Sequence, residues 1–186
     1  MIIPPEKDTF LNLLQSRQVF AYPTEAVYGL GGDPRAPEVF AEILRLKGAR
    51  VPGQGMLLVA ADWAQCADWV AGLDDALIAR LHTLAAARTT TFILPATDAV
   101  PAWLRDAATG RIAIRVSTHP LVRQLCTWAG VPLISTSANP SGAPPARTAA
   151  EVQHYFPAVP VIAGTTGGEA RPSRLWDVAN ATQLRD

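Results

Sequence analysis

"VPLISTSANPSGAPPARTAAEV", residues 131–152, runs from an apolar strand-like segment to a capped helix through an unusually polar loop. "VPLI" is a short apolar run of the kind that forms a buried strand. Thr148 and Glu151 have capping-box spacing, so a helix is expected over 148–155. Between them lie Ser135, Thr136, Ser137 and Asn139, followed by three prolines, one glycine and Arg147. Ligands of α/β sheets bind beyond the carboxyl ends of strands, which is where these hydroxyls and this amide fall. Proline stiffens the exit. The stretch therefore reads as strand, anion-holding loop and helix of an α/β protein.

The same alternation extends outward. A helix is expected over 6–16, then a strand, "QVFAY", ending at Pro23, and a glycine-rich turn, "GLGGDP". Pro37 suits the first turn of a helix whose apolar face is Val39, Phe40, Ile43, Leu44 and Leu46. "MLLVA" (56–60), "TTFILP" (90–95) and "RIAIRV" (111–116) read as strands. Asp62 and Asp74 are candidate N-caps for helices over 63–71 and 75–86. "HPLVRQLCTWAG" is a helix with Pro120 in its first turn and Gly130 past its end; "VPVIAG", "RLWDV" and "TQLRD" supply the remaining strands. Several connections are too short for a crossover helix, so a mixed sheet is expected. No repeat or linker divides residues 1–186, so a single domain is expected.

Composition narrows the classes. The chain is 49% hydrophobic and 17% charged with formal net charge +0, as for a soluble globular domain rather than a disordered one. Neutrality argues against broad, non-specific nucleic-acid binding. Cys66 and Cys126 lack paired spacing and read as buried thiols of a reducing compartment. No signal segment and no apolar run of membrane-spanning length is visible, so the expected address is cytoplasmic, with no membrane partner.

Four stretches carry candidate chemistry. "YPTEAVYGLGGDP" follows a strand with small and hydroxyl residues, but lacks the lysine of a P-loop and the spacing of a dinucleotide fingerprint. "LKGARVPGQG" places Lys47 and Arg50 at a helix end, where dipole stabilisation alone could account for them, in a loop also suited to wrapping a triphosphate. Arg111 and Arg115 share one face of an alternating strand and need an anionic partner or solvent. Between residues 107 and 150 lie four arginines, Arg111, Arg115, Arg123 and Arg147, and no carboxylate: a face for an anion, or chance in a lightly charged segment. The fourth stretch is the polar loop itself. The three histidines, His82, His119 and His154, are scattered and are expected to be structural or exposed.

In order, "YPTEAVYGLG", "LKGAR", "RIAIRVSTHPLV" and "PLISTSANPSGAPPARTAAEV" resemble the YrdC-like threonylcarbamoyl-adenylate synthases, from about residue 18 to 185. The resemblance implies a twisted mixed α/β sheet with outer helices and a large concave cavity. It implies an enzyme joining L-threonine, bicarbonate and ATP, with Mg²⁺ on the phosphates, to give threonylcarbamoyl-AMP and pyrophosphate. The product would feed a separate tRNA threonylcarbamoyl transferase acting on adenosine 37. Matched position by position, Thr24, Arg115, Ser135 and Ser173 fall on the threonine side. Lys47 and Arg50 match the catalytic basic pair, and Gln54, Arg111, Ser137, Asn139 and Arg185 fall on the nucleotide side. No protein metal ligand is implied.

Two departures stand out. The basic pair is Lys47-Gly48-Ala49-Arg50, one residue longer than the family's Lys-x-Arg, and "AAARTT" (85–90) replaces a "WPGP" turn. These leave open a divergent paralogue with weakened or altered catalysis. A YrdC-like module that binds RNA or tRNA without turnover is the other alternative. The related carbamoyl-adenylate chemistry of hydrogenase-maturation proteins belongs to much larger chains.

Overall fold

The alternating pattern becomes a single twisted sheet in the computed structural model, which describes residues 1–48 and 56–185. The strands are β1 (Ile2–Ile3), β2 (Phe20–Pro23), β3 (Tyr28–Gly31), β4 (Leu57–Ala60), β5 (Thr90–Pro95), β6 (Arg111–Val116), β7 (Leu133–Ser137), β8 (Val161–Ile162), β9 (Arg174–Asp177) and β10 (Thr182–Arg185). The helices are α1 (Lys7–Gln15), α2 (Pro37–Lys47), α3 (Asp75–Ala85), α4 (Pro120–Ala129) and α5 (Ala149–Tyr155). Strand order is β1-β8-β2-β3-β7-β4-β6-β5-β9-β10. The sheet is mixed, as the short connections required: β4 and β6 run parallel, while β2–β3, β3–β7, β4–β7 and β5–β6 are antiparallel.

Local signals fixed the helix ends. Asp74 accepts the Leu77 N–H at 2.8 Å, Pro37 and Pro120 open α2 and α4, and Gly130 ends α4 at φ 69°. Thr148 and Glu151 form the expected capping box on α5.

Two expectations need correction, and one element was not anticipated. Residues 63–71 hold one 3₁₀ turn, Ala64–Cys66, instead of a helix. Trp63, not Asp62, is its N-cap; Asp62 accepts the Gln65 N–H at 3.0 Å, while Thr97 N–H bonds Trp69 O (3.1 Å) and Ala71 N–H bonds Pro95 O (2.9 Å), pulling the backbone into pairing beyond β5. The glycine-rich turn is largely strand: Gly29 and Gly31 lie in β3. A Cβ at Gly31 would sit 2.3 Å from the Ile134 carbonyl oxygen and 2.6 Å from the Tyr22 ring, so the glycine serves close strand packing. The two-residue β1 went unread; it pairs parallel to the distant β8.

Side chains alternate between two faces. Ala21, Leu58, Ala60, Ile112, Ile114 and Ile134 join the core under α2 and the 63–70 segment. Phe20, Tyr22, Val59 and Leu133 face the other way, onto Phe10 and Leu14 of α1 and Val122, Leu125 and Cys126 of α4. Cys66 and Cys126 are both buried free thiols, and burial pushes each up to about 12. Leu57, Ala113 and Ser135 are register partners whose side chains share the second face; instead of joining that cluster, they line a cleft. None of the described helices is long and apolar enough to cross a membrane.

Candidate active site

The cleft has a volume of about 560 Å³, within the range of small-molecule sites. Leu57, Ala113 and Gly29 give it a low floor. A Cβ at Gly29 would come within 3.3 Å of the buried Ser135 Oγ, so the glycine leaves room beside that hydroxyl.

At one end, the β2–β3 turn is closed by Thr24, whose N–H and Oγ1 both donate to Val27 O at 3.0 and 2.7 Å. This presents Glu25 to Arg115 of β6, with an N···O separation of 3.2 Å and both side chains buried. Glu25 also accepts the Ser117 hydroxyl at 2.6 Å and the Thr118 N–H at 3.2 Å. Burial alone would raise the Glu25 pKa; the Arg115 charge and these donors outweigh it and hold the carboxyl below its usual range. Arg115 Nε has no hydrogen-bond partner among the described residues.

Residues 163–173 form the adjoining wall. Gly167 and Glu169 donate N–H bonds to the Thr24 and Glu25 carbonyls, both at 2.9 Å. Tyr28 OH bonds Gly164 O, and His119 Nε2 meets Thr165 O at 2.9 Å. His82 and His154 are exposed. Ser173 pairs with Thr91 at 2.8 Å, both buried, and Arg185 donates to Ser173 O at 3.2 Å.

At the other end, α2 stops at Lys47 because Gly48 turns the chain at φ 78°. Lys47 Nζ donates to Ser137 O (2.8 Å), Ser137 Oγ (3.3 Å) and Asn139 Oδ1 (3.2 Å). Asn139 is buried, and its Nδ2 closes the loop onto Pro140 O and Ala143 O. Lys47, Ser137 and Asn139 are thus brought together as the sequence suggested. Arg50 and Gln54 lie outside the described residues. Where the proline-glycine turn is replaced, Arg174 bonds the Leu84 carbonyl and Arg88 donates to Pro172 O at 3.1 Å.

Arg111 pairs with Asp177 of β9 at 2.7 Å; like Lys47 and Asn139, it is not among the residues lining the cleft. The anion face suggested by the arginine-rich stretch is therefore divided, with Arg111 and Arg115 neutralised by carboxylates from other segments. The residues sequence reasoning missed are Glu25, Thr91 and Glu169; Arg147 was noted only as a member of the arginine-rich stretch. Glu25 stood inside a quoted motif, but its partner is 90 positions away, a pairing that only the fold reveals.

A larger recess of about 880 Å³ adjoins the cleft and shares Glu25 and Glu169 with it. Its described lining contains no lysine or arginine, whereas the smaller cleft is lined by Arg115, Arg147 and Arg185. Among the described residues no three His, Cys, Asp or Glu side chains converge as a metal site.

Residues 12–185 match the Sua5–YciO–YrdC family, described as "Telomere recombination". The chain is 46% identical over 175 residues to the threonylcarbamoyl-AMP synthase of Dichelobacter nodosus, covering 94% of this chain and 91% of that protein. It is 43% identical over 173 residues to that of Chromohalobacter salexigens, covering 92% of each. Among solved structures it resembles P. abyssi Sua5 complexed with L-threonine (TM-score 0.83, 22% identity), covering 96% of this chain but only 54% of that longer one. E. coli YciO matches with TM-score 0.83 and 21% identity, covering 100% of this chain and 94% of that one. At such identities the structures speak to fold alone, and the fold agrees with the near full-length sequence matches: the chain belongs to the Sua5–YciO–YrdC family.

Proposed function

We infer that this protein is an enzyme condensing L-threonine, bicarbonate and ATP into threonylcarbamoyl-AMP and pyrophosphate. The observation that carries the inference is the near full-length match, at 46% identity, to a threonylcarbamoyl-AMP synthase. The threonine amine and bicarbonate give a carbamate and water. A carbamate oxygen then attacks the α-phosphorus in line, and the bond to the bridging oxygen breaks, its electron pair leaving with pyrophosphate. No protein nucleophile enters. Catalysis rests on positioning and charge stabilisation.

In this reading Arg115, held by Glu25, receives the threonine carboxylate. Thr24, Ser135 and Ser173 contact the rest of that substrate. Lys47 and Arg50 face the phosphates with Ser137, while Asn139 holds the loop and offers its amide beside them. Gln54 and Arg185 flank the nucleoside. Arg111 takes no nucleotide contact here; it anchors Asp177. The cleft carboxylates are occupied, Glu25 by Arg115 and Glu169 by the Thr89 hydroxyl, so the lining does not suit a resident divalent ion. Magnesium enters this reading only as the nucleotide's own counter-ion. The adenylate is consumed by a tRNA threonylcarbamoyl transferase.

The test is incubation of the purified protein with ATP, L-threonine and bicarbonate, with mass detection of the adenylate. Pyrophosphate release requiring all three substrates is expected. Salt-sensitive RNA retention without turnover overturns the reading in favour of a binding module. Slow turnover improved by deleting Ala49 would identify a paralogue weakened at its basic pair.

A further inference from the structure

Of the four arginines between residues 107 and 150, three are accounted for inside the fold. Arg111 pairs with Asp177, Arg115 pairs with Glu25, and Arg123 donates to Ser117 O at 3.5 Å. Arg147 is different. It lines the cleft, it is exposed, and its guanidinium is ion-paired to no described carboxylate. The one hydrogen bond of its guanidinium among the described residues, at 3.2 Å, goes to the Ala170 carbonyl on the opposing wall. The nearby Glu151 carboxylate is engaged by the backbone N–H groups of Arg147 and Thr148, at 2.6 and 3.1 Å.

The backbone beneath this side chain is fixed. Ala146 donates to Ala138 O at 3.2 Å and accepts from Tyr28 N–H at 2.8 Å, so residue 147 begins beside the segment joining Ser137 to Asn139. A long cation thus stands on an anchored loop that starts beside the Ser137–Asn139 segment, hydrogen-bonded to one neutral carbonyl and near enough to Glu151 to help those backbone N–H groups hold that carboxyl low. A phosphate oxygen would displace that carbonyl, because charge-assisted bonds are roughly twice as strong as neutral ones.

We propose that Arg147 is a further catalytic residue, contacting the β- and γ-phosphates of ATP and neutralising the charge that develops on departing pyrophosphate. This rests on the proposed adenylate-forming reaction. The guanidinium leaves Ala170 O as nucleotide binds and follows the leaving group, bonding two of its oxygens through the planar fork.

Two measurements on the full chain test this: calorimetric titration with inorganic pyrophosphate, and adenylate formation under saturating substrates. Arg147→Met should lower pyrophosphate affinity about tenfold or more, as expected for one lost charge-assisted contact. It should lower kcat while leaving threonine affinity unchanged, and Arg147→Lys, which keeps the charge but not the planar fork, should recover only part of the pyrophosphate affinity. Unchanged pyrophosphate binding in Arg147→Met overturns the proposal. So does a parallel loss of threonine and pyrophosphate affinity that lysine fails to restore, because that pattern marks a purely structural tie to Ala170. A wild-type protein that binds pyrophosphate but forms no adenylate overturns the reaction itself, and the catalytic role with it; an active wild type with an unaffected variant overturns the Arg147 role alone.

Discussion

The loop after β7 and the segment 163–173 meet where Arg147 reaches Ala170, yet they are held by different kinds of bond. The loop closes on itself. Asn139 bonds the carbonyls of Pro140 and Ala143, and Thr148 with Glu151 caps the helix that follows. The 163–173 segment has no helix or strand and is ordered by docking, through Gly167 and Glu169, onto the backbone of Thr24 and Glu25. One wall combines bonds between near neighbours in sequence with long-range ties to Lys47 and Tyr28; the other depends on a partner well over a hundred residues away. The first should tolerate damage to distant parts of the fold, while the second should respond to whatever disturbs the Glu25–Arg115 pair.

The largest effect should come from that pair. Glu25→Ala leaves a buried guanidinium without its counter-ion and should cost about 3–5 kcal/mol, read from the denaturant midpoint. The double change Glu25→Ala with Arg115→Met should recover much of it, and a single-mutant loss below about 1 kcal/mol would contradict a buried, uncompensated charge. The pH dependence has a definite sign. The Glu25 carboxyl is held below its usual range, so its contribution is complete above the unfolded value of about 4.3 and is lost as pH falls through the lower folded value. Glu25→Gln should therefore flatten the acid limb of the stability curve. An unchanged limb would place the acid sensitivity elsewhere, for example at Asp177, which Arg111 and Asn180 also hold low against burial.

On the self-closed wall the expected losses are smaller. Asn139 is buried and makes two donor bonds and one acceptor bond, so Asn139→Ala should destabilise by about 1–3 kcal/mol. Ser137 is only partly buried, and Ser137→Ala should stay within about 0.5 kcal/mol while weakening ATP binding. Equal destabilisation by the two changes would mean that the loop is organised by its hydroxyls rather than by the amide.

This contrast also explains what could be read from the residues. Caps at Asp74, Thr148, Pro120 and Gly130 depend on three or four neighbouring positions, and each appears where the pattern placed it. The Lys47, Ser137 and Asn139 cluster was legible because its motif residues lie at a helix end and a strand end that the fold joins. What escaped was non-local. Trp63, Cys66, Trp69 and Val70 have helical spacing, but pairing beyond β5 reshapes their backbone. Gly29 and Gly31 look like turn residues until β7 is laid against them. Arg111 and Arg115 share a face as alternation requires, yet their partners, Asp177 and Glu25, sit in segments that composition did not connect to them.

The smallest effects provide the sharpest separation of the two walls. Gly142 and Gly168 have nearly the same positive φ, 83° and 81°, one in each wall, and a Cβ at either would meet nothing within 4 Å. Alanine at either site therefore pays only for the positive φ, about 1–2 kcal/mol, and the two stability losses should be similar. Their effects on ligands should differ. Gly168 lies between the two residues that bond the Thr24 and Glu25 carbonyls, so Gly168→Ala should weaken L-threonine binding more than ATP binding. Gly142 lies in the loop that Asn139 closes, so Gly142→Ala should weaken ATP binding more than threonine binding. Separate calorimetric titrations of the two ligands against each variant provide the measurement. If both variants lose the same ligand to the same extent, the walls move as one unit, and the division between a self-closed loop and a docked segment has no functional consequence.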